Sequence, residues 1–177
     1  SSPLVEVPAK DDKGYKYNYF ARSNDPDSKP VYWRRKDYPD VVYRTVESKV
    51  RAITQEVIRF HVMGRPQLVG TTSVEHSQNL SYRLHAESVR RLLQTQVLRS
   101  VWLEQHPDKG MEQEIPELVF LNKPIEELET TKMRQLARDL GISFNMEDDE
   151  NLNRLISIME LRSQDKDRLV QVLQAGV

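Results

Sequence analysis

The 177-residue sequence contains no cysteine. Disulfides, thiolate zinc sites and a cysteine nucleophile are therefore excluded, and a reducing compartment suits the chain. Long apolar runs are also missing. Nothing approaches the roughly 18 residues of a membrane-spanning helix, and no charged-then-apolar leader opens the sequence, so a soluble, cytoplasmic protein is expected. Net charge is nearly absent: 26 Lys+Arg against 27 Asp+Glu give −1. Such a balance supplies no global field toward nucleic acid or an anionic membrane, leaving only local patches. No G-x-x-x-x-G-K-[ST] phosphate loop occurs. His61, His76, His85 and His106 form no i,i+4 pair and no H-E-x-x-H, so no metal site is expected. The acidic run 145–150 lacks the glycine and alternate-ligand order of a calcium loop and reads as a solvated helix start. No Ser/His/Asp set can be argued from spacing, since such sets assemble in space.

With 38% hydrophobic and 30% charged residues, the chain can build one core under a strongly hydrated surface, and its length fits one domain or one domain plus a sizeable insert. Residues 4–22 read as a β-hairpin, with Asp12-Lys13-Gly14 at the turn and Tyr15, Tyr17 and Tyr19 alternating with polar residues. Residues 23–30 read as loop. The cluster Tyr32-Trp33-Arg34-Arg35-Lys36 mixes aromatic and basic groups; an edge strand with cation–π packing suits it better than nucleic-acid stacking. Val41-Val42-Tyr43 reads as a short strand. Thr45 then caps a helix carrying Val50, Ile53, Val57 and Phe60 on one face, and Gly64 and Pro66 end it.

The most informative stretch follows. Residues 67–70 read as a buried strand that opens into Thr71, Thr72 and Ser73, with Ser73 capping a second helix and Glu75 in its first, dipole-favoured turn. This strand–loop–helix corner is a common ligand-holding place in α/β proteins. By composition its hydroxyls are strand exit and cap. The apolar stripe of the second helix continues from Leu80 and Leu84 through Val89, Leu92 and Val101 to residue 104. Beyond it the reading is helical, apart from a short strand at 118–121. Glu126, Glu127, Glu129 and Lys132 mark an exposed helix face, and Gly141 and Gly176 act as helix stops. Two successive β-α units imply a parallel sheet. Two such strands are too few by themselves, so either the hairpin pairs with them or the rest of the sheet lies elsewhere.

Arg35, Asp37, 40–45 (Asp-Val-Val-Tyr-Arg-Thr), Lys49, Ala52, Glu56, Gly64, Pro66, 68–75 (Leu-Val-Gly-Thr-Thr-Ser-Val-Glu), Ser77, Leu80, Ser81 and Leu84 together resemble SecA, the ATP-driven motor family of bacterial protein export. The matched positions keep their spacing over residues 35–84. The resemblance implies the start of a second RecA-like (P-loop NTPase-type) motor lobe. It implies a partial α/β parallel-sheet lobe with an N-terminal β-hairpin and a mainly α-helical insertion. The divisions are 1–34 as hairpin and aromatic extension, 35–85 as motor lobe, 86–168 as insertion and 169–177 as the return toward the lobe. In such motors ATP and magnesium lie between two lobes. The partners implied through the parent are other SecA domains, the SecY channel complex, preprotein and the anionic inner face of the cell membrane, without nucleic acid.

Gly70, Thr71, Thr72, Ser73 and Glu75 correspond to a motor-motif corner on the cleft side of the lobe. The resemblance adds a coupling role to the cap role of the hydroxyls. No catalytic residue and no direct cofactor ligand is expected in this stretch, because the arginine-bearing motifs of the lobe would follow Val177. An arginine finger is worth roughly 10³–10⁵ in rate, so the chain alone is expected to be inactive. The ends, opening on Ser1-Ser2-Pro3 and closing on a helix-stop glycine, read as cuts from a larger protein. The competing readings are a lobe of a superfamily-2 helicase and a non-catalytic helical interaction module. The helical insertion itself reads either as a docking surface or as a tolerated elaboration on a surface loop.

Overall fold

A computed structural model describes residues 2–12, 14, 16–34, 38–110 and 114–177. Lys13 and Tyr15 of the hairpin, Arg35 and Lys36 of the basic cluster, and Arg35 and Asp37 of the family resemblance lie outside the described residues. The chain divides into two units, Ser1–Val42 and Tyr43–Val177.

The first unit is an antiparallel sheet of β1 (Leu4–Lys10), β2 (Lys16–Arg22) and β3 (Pro30–Trp33), in the order β1-β2-β3. The expected hairpin is present, with Leu4 opposite Arg22 and Lys10 opposite Lys16. The aromatic stretch beyond the loop adds the third strand. Period-two alternation puts Tyr17, Tyr19 and Trp33 on one face, where the indole meets the two phenol rings edge-on at 5.1 and 5.7 Å. Phe20 and Tyr32 pair on the other face at 4.9 Å. There Arg34 and Asn18 both donate to Glu6. The bond from Arg34, then that from Asn18, holds the Glu6 carboxyl below its usual range. Both edge strands carry a proline, Pro8 and Pro30, each removing one donor from an edge where a foreign strand could add.

In the second unit α1 (Val46–Val62) starts at Thr45, whose hydroxyl accepts from Ser48 N–H at 3.1 Å within a capping box. α2 (Val74–Arg83) and α3 (Ala86–Gln105) follow, then α4 (Thr130–Leu140), α5 (Asp149–Ile158) and α6 (Lys166–Ala175). α3 is the central rod. Its Val89, Leu92, Leu93, Val97 and Leu98 are almost wholly buried, and α4, α5 and α6 all pack on it. Ile58 and Val62 bring α1 into the same apolar core. Side chains of the two long helices also satisfy carbonyls that helix ends leave without partners. Arg59 donates to Met159 C=O at 2.8 Å, Arg90 to Leu173 C=O at 2.9 Å and Gln105 to Leu140 C=O at 3.0 Å.

Four expectations need correction. Residues 41–43 and 67–70 form no strand, and among the described residues the sheet pairing is antiparallel. A strand exists by pairing, and among the described residues these segments have no paired neighbour; Leu68, expected to be buried, is 100% exposed. Residues 118–121 belong to a 3-10 helix, Pro116–Asn122, which buries Leu118 and Leu121 against the core. The long second helix is two helices broken at Leu84 and His85. At the break, Leu84 C=O accepts from Val177 N–H at 3.0 Å. Residues 124–129 are a 3-10 turn and an extended lead-in rather than the start of a continuous helix.

Candidate functional site

The corner is built by helix ends. α1 closes through Gly64, at φ +70°, with Arg65 N–H donating to Phe60 C=O at 2.9 Å. Pro66 prevents a further turn, and the Gln67 amide donates to Val57 C=O at 2.8 Å, tying the outgoing chain to α1. At the far end Ser73 caps α2, its hydroxyl accepting from His76 N–H at 3.1 Å. Thr71 donates its hydroxyl to Ser73 C=O at 3.2 Å, and Thr72 Oγ1 lies 3.1 Å from His76 Nδ1 in hydrogen-bond contact. The cap expected at Ser73 is therefore present. Gly70, Thr71, Thr72, Ser73 and Glu75 lie together and all are exposed.

A cleft of about 280 Å³ opens between the start of α1 and this corner. Val46, Val50, Ile53 and Leu80 supply its apolar wall; Lys49, Thr72 and His76 supply its polar groups. A shallower groove of about 520 Å³ runs along the other side of α1, where Ile53 and Phe60 face Leu68 and Val69. The apolar side chains around the corner are thus uncovered within this unit: Val46, Leu68 and Val74 are all strongly exposed.

Sequence reasoning did not find the ionic hub beside the cleft. Arg83, in the last turn of α2, is buried and grips Glu47 of α1 bidentately at 2.8 and 2.6 Å. Its Nε lies 3.1 Å from Glu126. Arg51 adds a 2.9 Å bond to Glu47. Burial pushes the Glu47 carboxyl up, but the bonds and charges of Arg83 and Arg51 outweigh it and hold the group below its usual range. The Glu47–Arg51 spacing of four residues was a visible signal; the partners from α2 and residue 126 were not.

The hydroxyls of the corner are engaged locally. The Thr71 and Ser73 hydroxyls are committed to local bonds, and Thr72 already contacts His76. Among the described residues no three His, Asp or Glu side chains converge as metal ligands. What the corner does supply is an uncovered apolar surface.

Comparison with known proteins finds a likeness over part of the chain. Residues 32–106 match the family model of the SecA P-loop domain. Three proteins named protein translocase subunit SecA illustrate the likeness. That of Synechococcus sp. (strain JA-3-3Ab) is 51% identical over 59 residues, covering 33% of this chain and 6% of the relative. That of Cyanidioschyzon merolae is 53% identical over 57 residues, covering 32% and 7%. That of Heliobacterium modesticaldum is 47% identical over 64 residues, covering 36% and 7%. The chain thus matches only a small part of the length of these relatives. No solved structure matches it.

Proposed function

We propose, for a chain whose residues 32–106 belong to the SecA P-loop domain family, that it is part of an ATP-driven translocase. The parent couples ATP binding and hydrolysis to preprotein export through the SecY channel. It works with magnesium, at the cytoplasmic and anionic face of the cell membrane. No described helix is long and apolar enough to cross a membrane, which accords with a peripheral role. The parent carries the activity; this stretch supplies one wall of the motor.

The observation that carries the proposal is the coincidence of the family match with the Ser73-capped corner. There Gly70, Thr71, Thr72, Ser73 and Glu75 border a cleft and stand among uncovered apolar side chains. Segments 41–43 and 67–70 become parallel strands of a RecA-like lobe once neighbouring strands from the parent pair with them. The bond from Val177 N–H to Leu84 C=O supports reading 86–168 as an insertion, since it joins a residue just before the insertion to the end of the 169–177 return.

Hydrolysis by the full-length parent tests the proposal. Stimulation by preprotein and SecY-containing membranes is the expected result. Stimulation by nucleic acid in their place, with a salt-sensitive affinity, would assign the lobe to a helicase instead.

A further inference from the structure

The segment 122–126, on the flank of the helical unit, is held by four guanidiniums. Arg99 donates to the Asn122 side-chain carbonyl at 2.8 Å, and Arg51 to Lys123 C=O at 2.5 Å. Arg91 donates to Ile125 C=O at 3.1 Å, and Arg83 lies 3.1 Å from the Glu126 carboxylate. Three of the four arginines have carboxylate partners. Arg83 and Arg51 share Glu47, Arg83 adds Glu126, and Arg91 pairs with Glu87 at 2.9 Å. Lys123, at the same place, is balanced by Glu129 at 2.9 Å.

Arg99 is the exception. Among the described residues its hydrogen-bond partner is neutral, the Asn122 amide, and no ion pair includes it. It is half-buried. Burial first, and the neighbouring Arg51 charge second, weaken its hold on its proton. A partly desolvated cation beside a like charge is costly when only a neutral acceptor faces it. A guanidinium also presents its donors in a planar fork that fits the oxygens of phosphate.

We propose that Arg99, with Arg51 beside it, binds a dianionic oxyanion of the phosphate class, either free or as a phosphomonoester headgroup. The anion supplies the charge that Asn122 lacks, and Asn122 aims the fork without neutralising it. This site lies at the junction of α1, α3 and the 3-10 helix Pro116–Asn122, apart from the Gly70–Glu75 corner.

The test titrates inorganic phosphate into the isotope-labelled 177-residue chain against chloride at equal ionic strength, following the Arg51 side-chain N–H and the backbone amide resonances of residues 122–126, which every variant retains. A saturable shift is expected in the native chain and at least about tenfold weaker binding in Arg99→Met. The second variant is Asn122→Asp, which places a carboxylate where the anion would sit. It should raise the melting temperature in phosphate-free buffer and abolish the phosphate response. A parallel sedimentation with vesicles of phosphatidic acid in phosphatidylcholine distinguishes the two sources, since binding to vesicles alone assigns a lipid headgroup. A response that is linear, or the same in Arg99→Met, or an Asn122→Asp protein that still responds to phosphate, overturns the proposal; so does silence toward both phosphate and vesicles.

Discussion

At the scale of single residues, Arg83 and Glu47 illustrate how a surface-looking helix end becomes a structural joint. Arg83 side-chain exposure is 6% and that of Glu47 is 15%, so their attraction is poorly screened. Replacing Arg83 with methionine leaves Glu47 partly desolvated but still held by Arg51. A loss of about 2–3 kcal/mol is expected, below the roughly 3–5 kcal/mol of a fully broken buried pair; chemical denaturation measures it. The same pair makes stability pH-dependent. The Glu47 carboxyl titrates below its unfolded value near 4.5. Its contribution is therefore complete above that value and lost as pH falls through the lower folded one. Glu47→Gln should flatten this acid limb in denaturation curves measured between neutral pH and pH 3. A third residue, Gly176, has φ +80°, and a Cβ there would come within 2.5 Å of Leu84 C=O. Gly176→Ala should cost about 1–3 kcal/mol from the backbone conformation alone, read as a fall in melting temperature.

At the scale of elements, helix ends were far more legible than strands. Thr45, Gly64, Ser73 and Gly141 all act as the caps and stops their residue types announce, because capping is a local bond between near neighbours. Ser73→Ala should therefore destabilise α2 by about 1 kcal/mol, with the loss visible as faster amide exchange at His76. Neither a proline nor a glycine marks the break between α2 and α3, and the apolar stripe runs straight through it. The Leu84 carbonyl at the break accepts from Val177 N–H, a residue 93 positions away in sequence. Residues 67–70 failed as a strand for the opposite reason. Their apolar pattern is real, but a strand is defined by neighbours, and among the described residues none pairs with them. The corner itself was legible because it combines local caps with a family resemblance. The Arg83 hub was not, because its partners are brought together only by folding.

At the scale of the whole chain, two independently described units differ in what they need. The sheet of the first unit guards its edges with prolines. The second unit buries α3 among α4, α5 and α6 yet leaves the corner's Val46, Leu68 and Val74 in water. That uneven covering fits a motor-lobe wall better than a self-sufficient module. Alone, with no phosphate loop in its sequence, the chain should release no phosphate from magnesium–ATP; steady, magnesium-dependent release by the purified chain would refute this. The motor reading itself is decided in the parent translocase carrying Thr72→Ala, by comparing preprotein-stimulated ATP hydrolysis with the melting temperature. Thr72 is exposed, so the melting temperature should move by no more than about 2 °C while stimulated hydrolysis falls several-fold. A lowered melting temperature with unchanged hydrolysis would contradict a coupling role and leave the corner as a helix cap.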